Sequence, residues 1–312
     1  MSNYLQPTIL LIGFDSLLSE SSKNRVLEES YNFINPLELK LNNTLKDHVI
    51  GVLVFTWKTD FELIYDLPNL RVVCCMTSGV DYLDLDVLYS KNVVVKNCSN
   101  EASDSTSEIG MLLILNSARR TLKAIQALHN PTIYYNSINE YVGINVNKKV
   151  LGIIGLGAIG QSLANKASLG FGMKIIYHQR NKKSSCLFPY YENLNEMLPL
   201  VDFLVISCPL TNQTKHLINM NRLKLMKSSA YLINVTRGSI VKTNDLVDAL
   251  RCGIISGAGL DVVDPEPLPS AHPLLHMNNV MVLPHIGTFA LETRDIMLNQ
   301  TLRNLKDSLQ TN

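Results

Sequence analysis

The chain alternates short apolar runs with stretches that are polar or follow a helical period, and this rhythm continues from one end to the other. In the first third the runs fall at 8–12, 51–55, 72–75 and 93–95, with less regular polar segments between them. Runs that are apolar at every position predict strands buried on both faces, as in a parallel sheet covered by helices. From Glu108 the spacing changes. Ile109, Leu112, Leu113, Leu115, Ala118, Leu122, Ile125 and Leu128 keep a helical period that closes near Asn130-Pro131, which predicts one long helix. Residues 131–149 are polar, rich in Asn and Tyr and aperiodic, and read as an extended excursion between two units. A second strand series follows at 150–154, 174–177, 203–207, 230–234, 255–260 and 280–283, with helical patterns between. That series predicts a doubly wound sheet. A last helix is predicted over 291–309, from apolar positions at 296, 298, 302, 305 and 309.

Composition narrows the class. The 312 residues amount to about two domains of ordinary size, and 46% hydrophobic against 18% charged residues is normal globular composition. Lys plus Arg (28) nearly cancels Asp plus Glu (27), leaving a net charge of +1. A chain so close to neutral has no global field to draw in nucleic acid or an anionic membrane. Its six cysteines include the adjacent pair Cys74 and Cys75 but no CxxC spacing, which fits neither a disulfide framework nor a zinc site. No metal is expected, and a reducing compartment is the simpler setting. The apolar run near the start lacks a basic lead-in and a cleavage pattern, so it reads as a first strand. No apolar stretch approaches the roughly 20 residues of a membrane span. A soluble, cytoplasmic protein without membrane or nucleic-acid partners is expected.

The first chemistry appears where the second strand series begins. The strand at 150–154 runs into Gly155-Leu156-Gly157-Ala158-Ile159-Gly160 and then a helical pattern. A GxGxxG is a weak signal alone and a strong one between a strand and a helix, because it then serves a pyrophosphate. Gly155 permits the tight turn, Gly157 lets backbone approach the ligand, and Gly160 lets helix pack on strand, while the helix N-terminus offers N–H groups and partial positive charge. The next strand ends in His178-Gln179-Arg180, followed by Lys182 and Lys183, with no acidic residue between Gly160 and Glu192. NAD sites place a carboxylate here to bind the ribose 2′-hydroxyl. Arg180 with a neighbouring lysine would instead hold a 2′-phosphate, so NADP(H) is favoured over NAD(H).

Three later segments add a reaction: Asn234-Val235-Thr236-Arg237-Gly238, the stretch from Gly259 through Asp261 to Glu266-Pro267, and Leu283-Pro284-His285-Ile286-Gly287. Reducing a carbonyl puts negative charge on oxygen as hydride reaches carbon, so an acid must deliver a proton. A histidine titrates near working pH, a carboxylate such as Glu266 can orient its ring, and an arginine can bind a carboxylate and a developing oxyanion together. Singly, Arg237, Glu266, Asp261 and His285 each have an ordinary structural reading; their joint occurrence in order carries the argument.

With the glycine turn, these segments closely resemble the D-isomer-specific 2-hydroxyacid dehydrogenases, nearest to the glyoxylate/hydroxypyruvate reductases, over almost the whole chain. The resemblance implies a smaller flavodoxin-like substrate domain (1–100 plus 289–312), an inserted NAD(P)-binding Rossmann domain (101–288), and an active site in the cleft between them. It implies that Arg237, Glu266 and His285 are catalytic, and that Ser78, Gly79 and Val80 bind the substrate carboxylate together with Arg237 and His285. Cofactor contacts are implied at Thr106, at each residue of the glycine turn, at His178, Gln179 and Arg180, at Cys208 and Pro209, and at Val235, Thr236, Arg237, Asp261, His285 and Gly287. The implied reaction is NADPH-dependent reduction of glyoxylate or hydroxypyruvate to glycolate or D-glycerate by a homodimer. Some relatives with the same three residues act as corepressors, so a dinucleotide-sensing interaction protein is the alternative. The excursion carries Tyr134, Tyr135 and Tyr141 where the family commonly has tryptophans, and the single tryptophan is Trp57.

Overall fold

The computed structural model describes residues 7–310 except 58, 60, 99, 129–140 and 185. The chain forms two compact units, Met1–Ala102 with Phe289–Asn312, and Ser103–Thr288. Each is built on a parallel sheet flanked by helices.

The first unit holds β1 (Thr8–Ile12), β2 (Asn32–Ile34), β3 (Val49–Val54), β4 (Val72–Cys75) and β5 (Val94–Lys96), in the order β2-β1-β3-β4-β5. This is the flavodoxin-like strand order. Successive side chains point to opposite faces of a strand. Ile9, Leu11, Leu53 and Val72 accordingly pack with Met297, Leu298 and Leu305 of the helix Leu291–Gln310. Leu10, Ile12, Val52, Val54 and Val73 form a separate core on the other face. Both faces are apolar, which is why these strands read as unbroken hydrophobic runs. The adjacent Cys74 and Cys75 divide between the two cores. Burial pushes both thiols up, Cys75 to about 12, so they behave as small apolar side chains. Strand β2 was not legible as an apolar run, since it is a three-residue edge strand with one fully buried side chain.

The second unit holds β6 (Val150–Ile154), β7 (Lys174–His178), β8 (Tyr190–Tyr191), β9 (Phe203–Ile206), β10 (Tyr231–Asn234), β11 (Gly257–Leu260) and β12 (Val280–Val282). Their order is β12-β11-β10-β9-β6-β7-β8, all parallel. The chain moves outward from β6 in one direction through β7 and β8, then returns to build the other side from β9. Such a reversal opens a crevice at the carboxyl ends of β6 and β9. Leu151, Ile153, Phe203, Val205 and Ile233 face Met111, Leu113, Ile114 and Ala118 of the helix Ser103–Arg119. The opposite face packs Ile154, Leu204, Ile206, Leu232 and Leu260 against the helix Thr243–Arg251 through Leu246 and Leu250. Strand β8 is only two residues long and carries no apolar run of its own.

The single long helix expected from the period is in fact two, Ser103–Arg119 and Thr121–Leu128. Between them Arg120 adopts a left-handed backbone with φ of 50°. Hydrophobic period survives such a break because no Gly or Pro marks it. The cause is a side chain: Asn116 Oδ1 accepts from Leu122 N (3.1 Å) and from the Thr121 hydroxyl, capping the second helix. Tyr134 and Tyr135 of the excursion lie outside the described residues. Among the described residues, no helix is long and apolar enough to cross a membrane, and no cluster of three His, Cys, Asp or Glu could hold a metal ion.

Candidate active site

The glycine turn leaves β6 at the crevice. Gly155 has φ of 90°, and a Cβ there would lie 2.7 Å from Cys208 Cα, so only glycine fits against the chain leaving β9. At Gly160 a Cβ would stand 2.3 Å from Gly155 O. Ser207 Oγ donates to that same carbonyl at 2.6 Å. Gly157 differs, since a Cβ there meets nothing within 4 Å. It is the N-cap of the helix Ala158–Asn165, and among the described residues no side-chain cap bonds the helix's first N–H groups. An open approach to an uncapped helix N-terminus is what a pyrophosphate requires.

The end of β7 braces this turn. Gly155 N donates to His178 O (2.8 Å), and Leu156 N donates to Gln179 Oε1 (3.1 Å). Gln179, in the acid-free stretch after β7, has its side-chain oxygen engaged by the turn and its Nε2 donating to Asn181 O (2.6 Å). His178 Nδ1 lies 2.9 Å from Tyr191 O on β8. Arg180 and Lys182 are exposed, and among the described residues neither is in an ion pair.

On the other side of the crevice, successive strands each deliver one member of the remaining constellation. Arg237 follows β10 in a turn shaped by Asn234, whose Nδ2 donates to Arg237 O (2.8 Å) and whose Oδ1 accepts from Thr236 N (3.2 Å). Arg237 Nη1 donates to Thr236 O at 2.9 Å, while Thr236 Oγ1 is buried with no hydrogen-bond partner among the described residues. A Cβ on Gly238 would lie 2.0 Å from Val263 C, so this glycine admits the backbone of the segment after β11. Ser239 Oγ donates to Asp264 Oδ2 (2.7 Å) and Thr243 Oγ1 to Asp264 O (2.6 Å), clamping that segment in place. Glu266 projects from it to His285, with Oε1 2.8 Å from Nδ1. Both side chains are about four-fifths buried, at 22% and 21% exposure.

His285 has φ of 60°, a conformation that a non-glycine residue adopts only under constraint. The constraint comes from Asp261, just past β11 and 1% exposed. Its Oδ1 accepts from Ile286 N (2.8 Å) and its Oδ2 from Gly287 N (2.9 Å). Burial raises the Asp261 carboxyl above its ordinary value, against the opposing pull of these amides and of His285. Gly287 O accepts from Ser105 Oγ (2.8 Å) and Thr106 Oγ1 (3.3 Å), so the helix start also grips the segment. Val235 and Cys208 are buried beside the turns that carry them, and burial pushes the Cys208 thiol up to about 11, which removes it as a nucleophile. Pro209 follows it, its carbonyl accepting from Thr214 Oγ1 at 2.7 Å. In the first unit, Ser78, Gly79 and Val80 form a loop after β4. Thr77 Oγ1 donates to Gly79 O (2.9 Å) and Asn97 Nδ2 to Ser78 O (2.7 Å).

Sequence reasoning grouped Arg237, Glu266 and His285, and the fold brings the last two into direct contact. It did not find Ser105, Ser239, Asp264 or the capping work of Asn234; only the Asn at a strand end before a turn offered a signal. For Asp261, both carboxylate oxygens bind the backbone beyond His285.

A phosphate-ready turn at a switch point, with a carboxylate-held imidazole on the same edge, makes this a dinucleotide-dependent oxidoreductase. Residues 111–287 match the family model "D-isomer specific 2-hydroxyacid dehydrogenase, NAD binding domain". The chain is 38% identical over 258 residues to glyoxylate/hydroxypyruvate reductase B of Erwinia tasmaniensis, covering 82% of this chain and 80% of that one. It is 36% identical over 261 residues to the glyoxylate reductase of Pyrococcus horikoshii, covering 81% and 78%. A solved NADPH-dependent glyoxylate/hydroxypyruvate reductase of Sinorhizobium meliloti, in complex with NADP and malonate, matches with TM-score 0.86 at 29% identity, covering 96% and 93%. The chain belongs to the D-isomer-specific 2-hydroxyacid dehydrogenase family.

Asp261→Asn keeps one acceptor and turns an NH2 group toward the other backbone N–H. It should cost about 1–3 kcal/mol in denaturant unfolding and lower turnover sharply. Because the folded carboxyl sits above 3.8, its ionisation subtracts stability as pH rises from that value through the raised one. The variant should lack this component. Wild-type stability and rate in the variant would remove Asp261 as the brace of His285.

Proposed function

We propose that this protein reduces a small 2-oxo acid, glyoxylate or hydroxypyruvate, to glycolate or D-glycerate with NADPH. The observation that carries the reading is the Glu266–His285 pair, 2.8 Å apart, on the edge of the sheet that also carries the glycine turn. NADPH, when bound at that turn, supplies the hydride. The turn fits a dinucleotide because a Cβ on Gly157 would meet nothing within 4 Å and, among the described residues, no side chain caps the helix behind it. Residues 155–160 would hold the pyrophosphate, and Thr106, His178, Cys208, Pro209, Val235, Thr236, Asp261 and Gly287 would line the rest of the site.

In this reading Arg237 presents its planar fork to the carboxylate and carbonyl of the 2-oxo acid and bears the charge that develops on oxygen. The backbone at Ser78, Gly79 and Val80 binds the carboxylate, which makes the first unit the substrate domain and the second the cofactor domain. Glu266 accepts Nδ1–H of His285 and orients the ring, so that the imidazolium gives its Nε2 proton to the carbonyl oxygen and is left as the neutral Nδ1–H ring. One proton and one hydride convert the carbonyl to the hydroxy acid.

Support for NADPH over NADH comes from the absence of an acidic residue between Gly160 and Glu192, from the exposed Arg180 and Lys182 in that stretch, and from the NADPH dependence in the S. meliloti relative's name. The relatives reported above are reductases, which favours the enzyme over a dinucleotide-sensing interaction protein. We also propose a homodimer formed through the helices Ser103–Arg119 and Thr121–Leu128 and the excursion after them. Leu112, Ile125, Leu128 and Val142 are 46%, 55%, 62% and 62% exposed along this stretch, an apolar run unusual on a monomer.

Three measurements test these readings. His285→Ala should lower kcat for NADPH oxidation with glyoxylate by about 100-fold or more, with NADPH affinity retained; an unchanged kcat refutes the assigned acid. Arg180→Gln should raise KM for NADPH by about tenfold and leave that for NADH unchanged; an unchanged ratio refutes the 2′-phosphate contact. Light scattering in solution should return twice the 34.8 kDa chain mass, and the mass of one chain refutes the dimer.

A further inference from the structure

In the first unit, the loop after β4 holds its peptide groups in an uncommon way. Thr77 O accepts from Cys98 N (3.0 Å) and Ser78 O from Asn97 Nδ2 (2.7 Å), both on the segment that follows β5. Along an extended strand, successive carbonyls turn to opposite sides. Here two neighbours turn to the same side. A trans peptide sets its N–H opposite its C=O, so the N–H groups of Ser78 and Gly79 together face away from Asn97 and Cys98. The next carbonyl, Gly79 O, accepts from Thr77 Oγ1 (2.9 Å), which turns Val80 N–H away from that hydroxyl. Among the described residues, none of these three N–H groups donates a hydrogen bond. Successive N–H groups presented in this way bind anions.

The two side chains that hold the loop are themselves held. Thr77 is buried. A threonine hydroxyl has one proton, and Thr77 gives its own to Gly79 O, so Tyr82 OH, 2.7 Å away, is the donor of the bond between them. The Tyr82 ring stacks on Phe61 with centroids 4.9 Å apart. Asn97 O accepts from Asn304 Nδ2 (3.4 Å) of the helix Leu291–Gln310, and Gln300 Nε2 donates to Asn304 Oδ1 (2.9 Å). Valine matches threonine in shape and leucine matches asparagine, so shape alone does not account for the polar groups at 77 and 97.

We propose that Thr77 and Asn97 are positioning residues for the substrate carboxylate. Asn97 sets the peptide that carries Gly79 N–H, and Thr77 sets the one that carries Val80 N–H, so that both amides, with Ser78 N–H, are aimed at one carboxylate. The proposal rests on the reading of this chain as a 2-oxo acid reductase, and adds the two side chains through which the loop acts. Neither touches the substrate. Fixing the peptides before the substrate arrives removes an ordering cost from its binding. Loss of either bond therefore weakens the grip on the carboxylate and leaves the glycine turn of the second unit as it was.

The test is steady-state reduction of glyoxylate by NADPH with the full chain, in the presence and absence of oxalate as a competing carboxylate that cannot react. Thr77→Val and Asn97→Leu should each raise KM for glyoxylate and the inhibition constant of oxalate by about tenfold, with KM for NADPH unchanged. Thr77→Ser keeps the hydroxyl and loses a buried methyl, so it should bind oxalate as the wild type does although it melts lower. A merely structural role would instead tie affinity to melting temperature. Tyr82→Phe removes the donor to Thr77 and should give a smaller rise; it carries the test if Thr77→Val does not fold. Wild-type KM and oxalate inhibition in Thr77→Val or in Asn97→Leu, or affinities that follow melting across the series, overturn the proposal and leave the reductase reading standing. A wild-type chain that reduces neither glyoxylate nor hydroxypyruvate overturns that reading, and the positioning role with it.

Discussion

The reacting edge of the second unit depends on one buried carboxylate. Asp261 accepts hydrogen bonds from two consecutive backbone N–H groups, those of Ile286 and Gly287, and so dictates the path of the chain directly after His285. Without that double acceptor, the left-handed backbone of His285 would relax and the imidazole would leave the carboxylate of Glu266. A strained conformation persists only where its surroundings over-determine it. Here Ser105 and Thr106 add a third and fourth bond, to the carbonyl of Gly287. The cost of burying a charge is visible in the raised Asp261 carboxyl, and the two amides offset it only in part.

The same edge is assembled by close backbone approaches as much as by charges. Gly238 lets the segment after β11 lie against the turn after β10, and Ser239 and Thr243 then fasten that segment through Asp264. This is how Glu266, in a proline-rich stretch with no regular structure, acquires a fixed position. Gly155 and Gly160 do the corresponding work across the switch point, where the turn after β6 is pressed onto Cys208 and Ser207. In both places a side chain of one carbon would separate elements whose contact creates the site.

Much of this was legible along the chain, and for specific reasons. Strands β1, β3, β4, β6, β9 and β10 are covered on both faces, so nearly every residue in them is apolar and the runs stand out. The glycine turn declares itself because backbone conformation, not side-chain chemistry, is what a pyrophosphate needs. Strands β2 and β8 stayed hidden because an edge strand of two or three residues has no pattern to show. The break at Arg120 stayed hidden because hydrophobic period continues across it, and the side chain that makes the break, Asn116, lies four residues earlier.

By itself the sequence determined the two parallel sheets, the glycine turn and the missing acid after β7, and it named Arg237, Glu266 and His285 as candidates, because each rests on local residue chemistry or on period. Tertiary structure alone decided what holds His285 against Glu266. Asp261 is distant in sequence from the amides it binds, and Gln179 from the amide of Leu156. Such pairings arise only when parallel strands lie side by side in register, and no local pattern encodes which distant N–H a carboxylate will meet.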